Sequence, residues 1–283
     1  AWLTTRPAEQ TINVYRSTIP LPERLGGHRN ANGPTLALSP DGKQLAFVTS
    51  DANSHTRLWV RSLDATEARP LADTRDGQSP FWSPDSRWLA FVQDRRLKKV
   101  DVATGAIVTL CEDVLLGGAW SELGVLLVTQ VSGQLAAVSA SGGAAVPLTT
   151  IENNGGEVFN VNPFFLPDQR RFGYITLGAG SVHAQLYIAS LDAGVAAQRV
   201  PIESAVVQLA GDHLWFVQNR TLVAQAFDAE RGTVSGPLLP VAEQVRINNW
   251  PFKGGAFSVS TAGALVFQRD PNPGFDLVWY DRA

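Results

Sequence analysis

Four histidines, one cysteine and 26 acidic residues are the material for chemistry in this chain, and their spacing decides what they could do. His28, His55, His183 and His213 lie far apart, with no i, i+4 pair and no Cys-x-x-Cys partner, so they are expected in loops or at the surface and not on zinc. No serine has a glycine two residues to each side, so the strained nucleophile turn of serine hydrolases is absent. Gly42-Lys43 is followed by Gln44, which breaks the phosphate-cradling pattern, and Gly178-Ala179-Gly180 reads as a loop instead of a dinucleotide fingerprint. No run of alternating Asp and Asn gives a calcium loop. The expectation is no catalytic residue, no metal ligand set and no cofactor.

Binding chemistry is better represented. Trp250 sits in Asn248-Asn249-Trp250-Pro251-Phe252-Lys253, where an aromatic among amides resembles a binding surface, the alternative being a loop tucked onto the rim. Trp59, Trp82, Trp88, Trp120, Trp215 and Trp279 lie inside strand patterns and are expected to pack in the interior. If the long connections share one face, the polar residues that converge there are Gln78, Glu157, Asn160, Asn162, Asn248, Asn249, Trp250 and Lys253.

The elements that would position them come from a repeat. LALSPDGKQLAFV (36–48) returns as FWSPDSRWLAFV (81–92) and FFLPDQRRFGYI (164–175), with weaker copies from Ala119, from Phe257 and around Val206. Each is a hairpin: Pro is preset for the second turn position, Asp tolerates the third, and Gly takes a positive φ. Runs such as Leu45-Ala46-Phe47-Val48 are apolar at successive positions, as in strands buried on both faces. A third strand follows each hairpin and ends in a polar residue, at Asp64, Asp101, Ser139, Asp192, Asp228 and Asp281. These ends recur near the ~40–45-residue interval of a four-stranded propeller blade, with two longer intervals that hold insertions. Six units follow.

A fourth strand follows five of the six units, while the last stops at Ala283 and a spare strand, TINVYRSTIPL (11–21), precedes the first. Pairing the spare strand with the incomplete unit closes a ring and removes a long exposed edge. The expected fold is therefore all-β, a six-bladed β-propeller of four-stranded antiparallel blades closed by the N-terminal strand. Gly117 to Leu127, the one helical candidate, is short and holds two glycines. Residues 1–10 read as a linker or membrane-helix stub, and 11–283 as a single propeller.

Composition narrows the partners. The chain has 283 residues, a formal net charge of −3, 25 glycines and 17 prolines. Its basic run, Arg95 to Lys99, is too short for a phosphate-tracking stripe, so nucleic acid is not an expected partner and the cations flank an exposed strand. Cys111 is alone, so no intrachain disulfide forms.

The Ser-Pro-Asp-Gly hairpins, each followed by a strand like RLWVR (57–61), resemble the Pro-Asp repeats of the TolB-like propeller family, a relative of the WD repeat, over about residues 11 to 283. TRLWVRSLD (56–64), PFWSPD (80–85), PVAEQV (240–245), AFSVS (256–260) and LVWYD (277–281) are most similar to the propeller region of bacterial transmembrane serine/threonine protein kinases. Ser86 and Gln169 depart from the turn glycine, and units three, five and six lack the Pro-Asp pair. The resemblance implies that Asp41, Asp85 and Asp168 are turn residues. It also implies a sensor or scaffold outside the cytoplasm, in the periplasm and tethered to the inner membrane through a preceding anchor. Such a domain would be monomeric or weakly dimeric and bind a protein, peptide or small ligand on its loop face. It would not itself be an enzyme, since no kinase motif is present. The alternative is a lactonase- or lyase-like propeller enzyme with a channel metal.

Overall fold

The computed structural model describes residues 14–19, 35–51, 53, 55–151, 159–178, 184–248, 254–270 and 275–280. Among them there is no helix, and the strands form six four-stranded antiparallel sheets and one short ribbon. Blade 1 is β2 (Leu36–Leu38), β3 (Gln44–Ser50), β4 (Thr56–Ser62) and β5 (Arg69–Pro70), preceded in sequence by β1 (Val14–Ile19). Blade 2 is β6 (Gln78–Trp82), β7 (Trp88–Gln93), β8 (Arg96–Asp101) and β9 (Ile107–Cys111). Blade 3 is β10 (Val114–Trp120), β11 (Val125–Gln130), β12 (Leu135–Ser139) and β13 (Val146–Pro147). Blade 4 is β14 (Phe159–Phe165), β15 (Arg171–Leu177), β16 (Ala184–Ser190) and β17 (Gln198–Val200). Blade 5 is β18 (Val207–Ala210), β19 (His213–Gln218), β20 (Thr221–Asp228) and β21 (Thr233–Ala242). A ribbon of β22 (Ile247–Asn248) and β23 (Gly254–Gly255) leads into blade 6, which is β24 (Phe257–Val259), β25 (Ala264–Gln268) and β26 (Phe275–Tyr280).

The spare strand completes the ring as expected. β1 lies antiparallel on β26 in continuous register, from Val14 opposite Tyr280 to Ile19 opposite Phe275.

The core is divided into slabs between neighbouring blades. Leu45, Phe47, Ala264 and Val266 pack where blade 6 meets blade 1, while Val48, Leu58, Trp82 and Phe91 fill the seam between blades 1 and 2. Opposite faces of one strand therefore feed different seams, which is why β3 is buried at six successive positions.

The turn chemistry explains the repeat. Ser39 Oγ donates to Asp41 Oδ1 at 2.5 Å, and Asp41 Oδ1 accepts the Lys43 amide at 3.0 Å, while Ser39 Oγ accepts the Gln44 amide at 2.9 Å. Ser83 and Asp85 repeat this arrangement. Where glycine is replaced, the left-handed conformation persists, with φ of 59° at both Ser86 and Gln169. Each replacement gains a partner in the neighbouring blade: Ser86 Oγ accepts the Asp41 amide at 3.2 Å, and Gln169 Oε1 accepts the Glu122 amide at 3.0 Å.

Candidate functional site

The six innermost strands enclose a central cavity of about 240 Å³. Its described wall is mostly apolar side chain and backbone, with polar side chains from Thr35, Asn162, Gln208 and Ser258. The wall on the side of blades 2 to 4 is shaped by three bulges, at Ser79-Pro80, Gly117-Gly118 and Asn162-Pro163, where each inner strand slips register against its hairpin partner. Ser79 and Asn162 hold positive φ angles of 54° and 51° at these bulges. A bulge turns side chains out of the regular alternation.

The polar residues near the axis stitch blades together. Asn162 Nδ2 donates to Ala205 O at 2.6 Å, joining blade 4 to the entry of blade 5. The Gln208 amide imitates a backbone pair, donating to Phe257 O at 3.2 Å and accepting from Val259 N at 2.8 Å. Ser258 Oγ accepts the Leu38 amide at 3.0 Å across the closing seam, and Trp82 Nε1 donates to Ala37 O at 2.9 Å. Gln208 and Ser258 were not anticipated, because in sequence they are single polar residues in worn repeats.

The expected binding residues divide into three groups. Glu157, Asn249, Trp250 and Lys253 lie outside the described residues, and Asn248 is described through its backbone, opposite Gly254. Asn160 is 3% exposed, with Nδ2 donating to Thr149 Oγ1 at 2.8 Å and Oδ1 accepting from Thr176 Oγ1 at 2.9 Å. It holds blades 3 and 4 together, reinforced by Thr129 Oγ1 donating to Asn160 O at 2.8 Å. Gln78 opens β6, half-buried, at the end of the blade where connections arrive, and Asn162 is the member that lines the cavity.

The remaining chemistry is structural in placement. His55 Nδ1 is 3.0 Å from Asp76 Oδ1 and His213 Nδ1 is 2.6 Å from Asp212 Oδ1, in separate blades. Burial, and then neighbouring Tyr187, push the Tyr174 phenol up to about 12, but it packs in the seam between blades 3 and 4. Lys99 of the basic run sits 4.6 Å over the Trp88 ring and donates to Ala140 O at 2.8 Å, tying blade 2 to blade 3. Among the described residues no helix is long and apolar enough to cross a membrane.

No protein-family model matches the chain. The Tol-Pal system protein TolB of Anaeromyxobacter sp. (strain K) is 51% identical over 59 residues, 20% of this chain and 13% of that protein. The uncharacterized protein YidR of Escherichia coli (strain K12) is 37% identical over 76 residues, 26% of this chain and 18% of its own length. The uncharacterized peptidase YuxL of Bacillus subtilis (strain 168) is 31% identical over 133 residues, 46% of this chain and 20% of that protein. The chain thus matches a fifth or less of the length of each of these curated relatives.

Solved structures share the fold. The putative TolB from Agrobacterium tumefaciens superposes with a TM-score of 0.57 at 15% identity, covering 88% of this chain and 90% of that one. An oligogalacturonate lyase in complex with manganese gives 0.55 at 15% identity, covering 96% of each chain. A prolyl endopeptidase gives 0.53 at 18% identity, covering 83% of this chain and 38% of its own.

These likenesses correct the expectation that the chain is not an enzyme. The alignment with the uncharacterized peptidase covers 46% of this chain, and the same fold stands in a lyase and an endopeptidase, so missing motifs do not remove it from enzymes. A channel metal is a separate matter. Manganese favours carboxylate oxygens, whereas the described channel wall offers amides and hydroxyls and no carboxylate. Among the described residues no group of three or more His, Cys, Asp or Glu side chains gathers anywhere. The described residues do not fit the ion. In blade order and closure the chain is a six-bladed β-propeller, and part of it is similar to TolB.

Proposed function

We propose that this propeller is a recognition module that binds a protein, peptide or small ligand on its loop face, as the extracytoplasmic sensor of a larger membrane-anchored signalling protein of the serine/threonine kinase type. One observation carries the reading: the strand ends flanking the long connections, at Phe159, Leu177, Ala184, Ile247, Gly254, Gln268 and Phe275, belong by topology to one end of the ring. The opposite end carries the short turns between first and second strands, with Ser-Pro-Asp turns in blades 1 and 2. Variable loops on a rigid scaffold are where recognition residues concentrate.

A melting screen against peptides, sugars and peptidoglycan fragments tests the reading, because a ligand at ~100 times its Kd adds ~2.7 kcal/mol. The stabilisation is expected to fall in Asn162→Ala and in Trp250→Ala. A ligand whose effect ignores both variants, or a gene without an upstream hydrophobic segment, overturns the corresponding half of the proposal.

A second reading rests on the peptidase likeness. In it the propeller is the substrate-admitting part of a larger peptidase, with the reacting groups elsewhere in that protein. Peptide hydrolysis by the full-length gene product, lost on deletion of a region outside residues 1–283, would favour it over the sensor.

A further inference from the structure

A second cavity, of about 310 Å³, lies away from the channel at the loop-face corner of blade 1. Its described wall includes Thr49, Asp51, His55, Arg57, Trp59 and Arg75. Phe47 pairs with Trp59, and Thr49 pairs with Arg57 one rung further along the same sheet face. That face packs on Ala264 and Val266 of blade 6, so the cavity opens along the seam where the ring closes.

Two polar atoms in this wall have no partner. Thr49 Oγ1 and Trp59 Nε1 are both shielded from solvent and make no hydrogen bond, and Thr49 as a whole is 2% exposed. Buried hydroxyls at comparable positions elsewhere are satisfied: Thr129 Oγ1 donates to Asn160 O, and Thr74 Oγ1 donates to Leu71 O at 2.8 Å. An orphaned buried donor is destabilising, and natural structures keep few of them without a reason. An indole N–H can only donate, so whatever completes Trp59 must bring an acceptor. Arg57 and Arg75 supply positive charge at the mouth, and Arg75 only grazes Asp76 at 3.9 Å. Asp51 is the acceptor in the wall, held by the Asn53 and His55 amides at 2.9 and 3.0 Å.

We propose that this cavity binds a small carboxylate that carries a hydroxyl or amino group on the adjacent carbon. The carboxylate oxygens accept from the Arg57 guanidinium and from Trp59 Nε1–H and Thr49 Oγ1–H, which a small turn of their side chains uncovers to the cavity, and the neighbouring donor is received by Asp51. A charge-assisted set of this kind is stronger than neutral hydrogen bonds, and the volume is at the small end for a ligand pocket. Hydrogen bonding from two backbone amides keeps Asp51 below the usual carboxylate range, the His55 amide first and against some desolvation, so it stays an acceptor at neutral pH. The site stands apart from the channel mouth, so its failure would leave the reading of that face untouched.

Proton–nitrogen spectra of the tryptophan indoles test the proposal, with Trp59→Phe identifying the Trp59 signal. Lactate and alanine, each added to millimolar concentration, separate a hydroxy acid from an amino acid, and alaninamide controls for the carboxylate. A saturable shift of the Trp59 signal with one of the two acids, and none with alaninamide, is expected. Thr49→Val should leave the melting temperature unchanged or raised, since it deletes an orphaned hydroxyl, yet weaken binding about tenfold. Arg57→Gln should weaken it comparably. No saturable shift with either acid would overturn the proposal. An equal response to alaninamide, or unchanged binding in Thr49→Val, would do the same.

Discussion

At Gly118 a methyl group would stand 1.9 Å from the Leu127 carbonyl oxygen and 2.8 Å from Pro163 of the next blade. At Gly117 it would stand 2.4 Å from the Ser79 carbonyl oxygen of the blade before. The glycine pair lets β10 bulge while three blades converge on the axis, so it is needed for space. Gly118→Ala should force backbone apart and lower the melting temperature by about 5–10 °C, an overpacking cost of about 2–3 kcal/mol. Gly105→Ala separates space from conformation, because nothing lies within 4 Å there but φ is +78°. That variant should lose only the left-handed penalty of about 1–2 kcal/mol. Equal melting curves for the two variants would refute the packing account. In the sequence the glycine pair was legible only as a reason to reject a helix, since the atoms it makes room for come from Ser79 and Pro163. The partners of Asn160 were hidden for a related reason: its amide meets Thr149 and Thr176, and nothing local in the sequence names them.

The third strand and the turn after it form the element on which the blades are measured. Asp101 Oδ1 accepts the Ala103 and Thr104 amides, both at 3.0 Å, and its Oδ2 accepts from Arg87 Nε at 2.8 Å. Asp228 repeats the motif with the Glu230 and Arg231 amides at 3.0 and 2.9 Å. The Thr104 amide, then Arg87, hold Asp101 below the usual carboxylate range, and the Arg231 amide and side chain do so for Asp228. Asp192 is lowered first by the Arg170 side chain. A carboxylate whose folded pKa is depressed contributes stability above its unfolded pKa of about 3.9 and loses it as pH falls through the lower folded value. Melting temperature should therefore be flat near neutrality and fall steeply below about pH 4. Asp101→Asn combined with Asp228→Asn should flatten that acid limb, and an unchanged limb would remove these turns as its source. These aspartates were visible in the sequence as the marks that counted six units. The bonding of Asp101 and Asp228 is local, to amides two or three residues ahead. Contacts between units, such as Ser86 Oγ on the Asp41 amide, were not visible there, since nothing local specifies which turns become neighbours.

Across the whole molecule, seams rather than a single core hold the ring. Trp82, Lys99, Asn160, Asn162, Gln208 and Ser258 each take part in a hydrogen bond that crosses to the adjoining blade. Thr261 Oγ1, which donates to Pro40 O at 2.9 Å, adds a tie between the last turn and the first. The closing seam differs from the others, since Thr49 Oγ1, Trp59 Nε1 and Gln268 Oε1 are orphaned in the two blades that meet there. Its blade is also the one assembled from both ends of the chain, which makes β1 the clasp. Deleting residues 1–19 leaves the hydrogen-bonding edge of β26 open over six residues, from Phe275 to Tyr280. An edge of that length pairs with other chains unless it is covered. The shortened protein should melt about 5 °C or more below the full chain and associate in a concentration-dependent way, measured by calorimetry and sedimentation velocity. If closure were carried by side-chain packing of β24 and β25 on blade 1 alone, the deletion would leave a monomer with unchanged melting. The register of β1 on β26 argues against that outcome, because its backbone pairing runs unbroken along the full outer edge of the last blade.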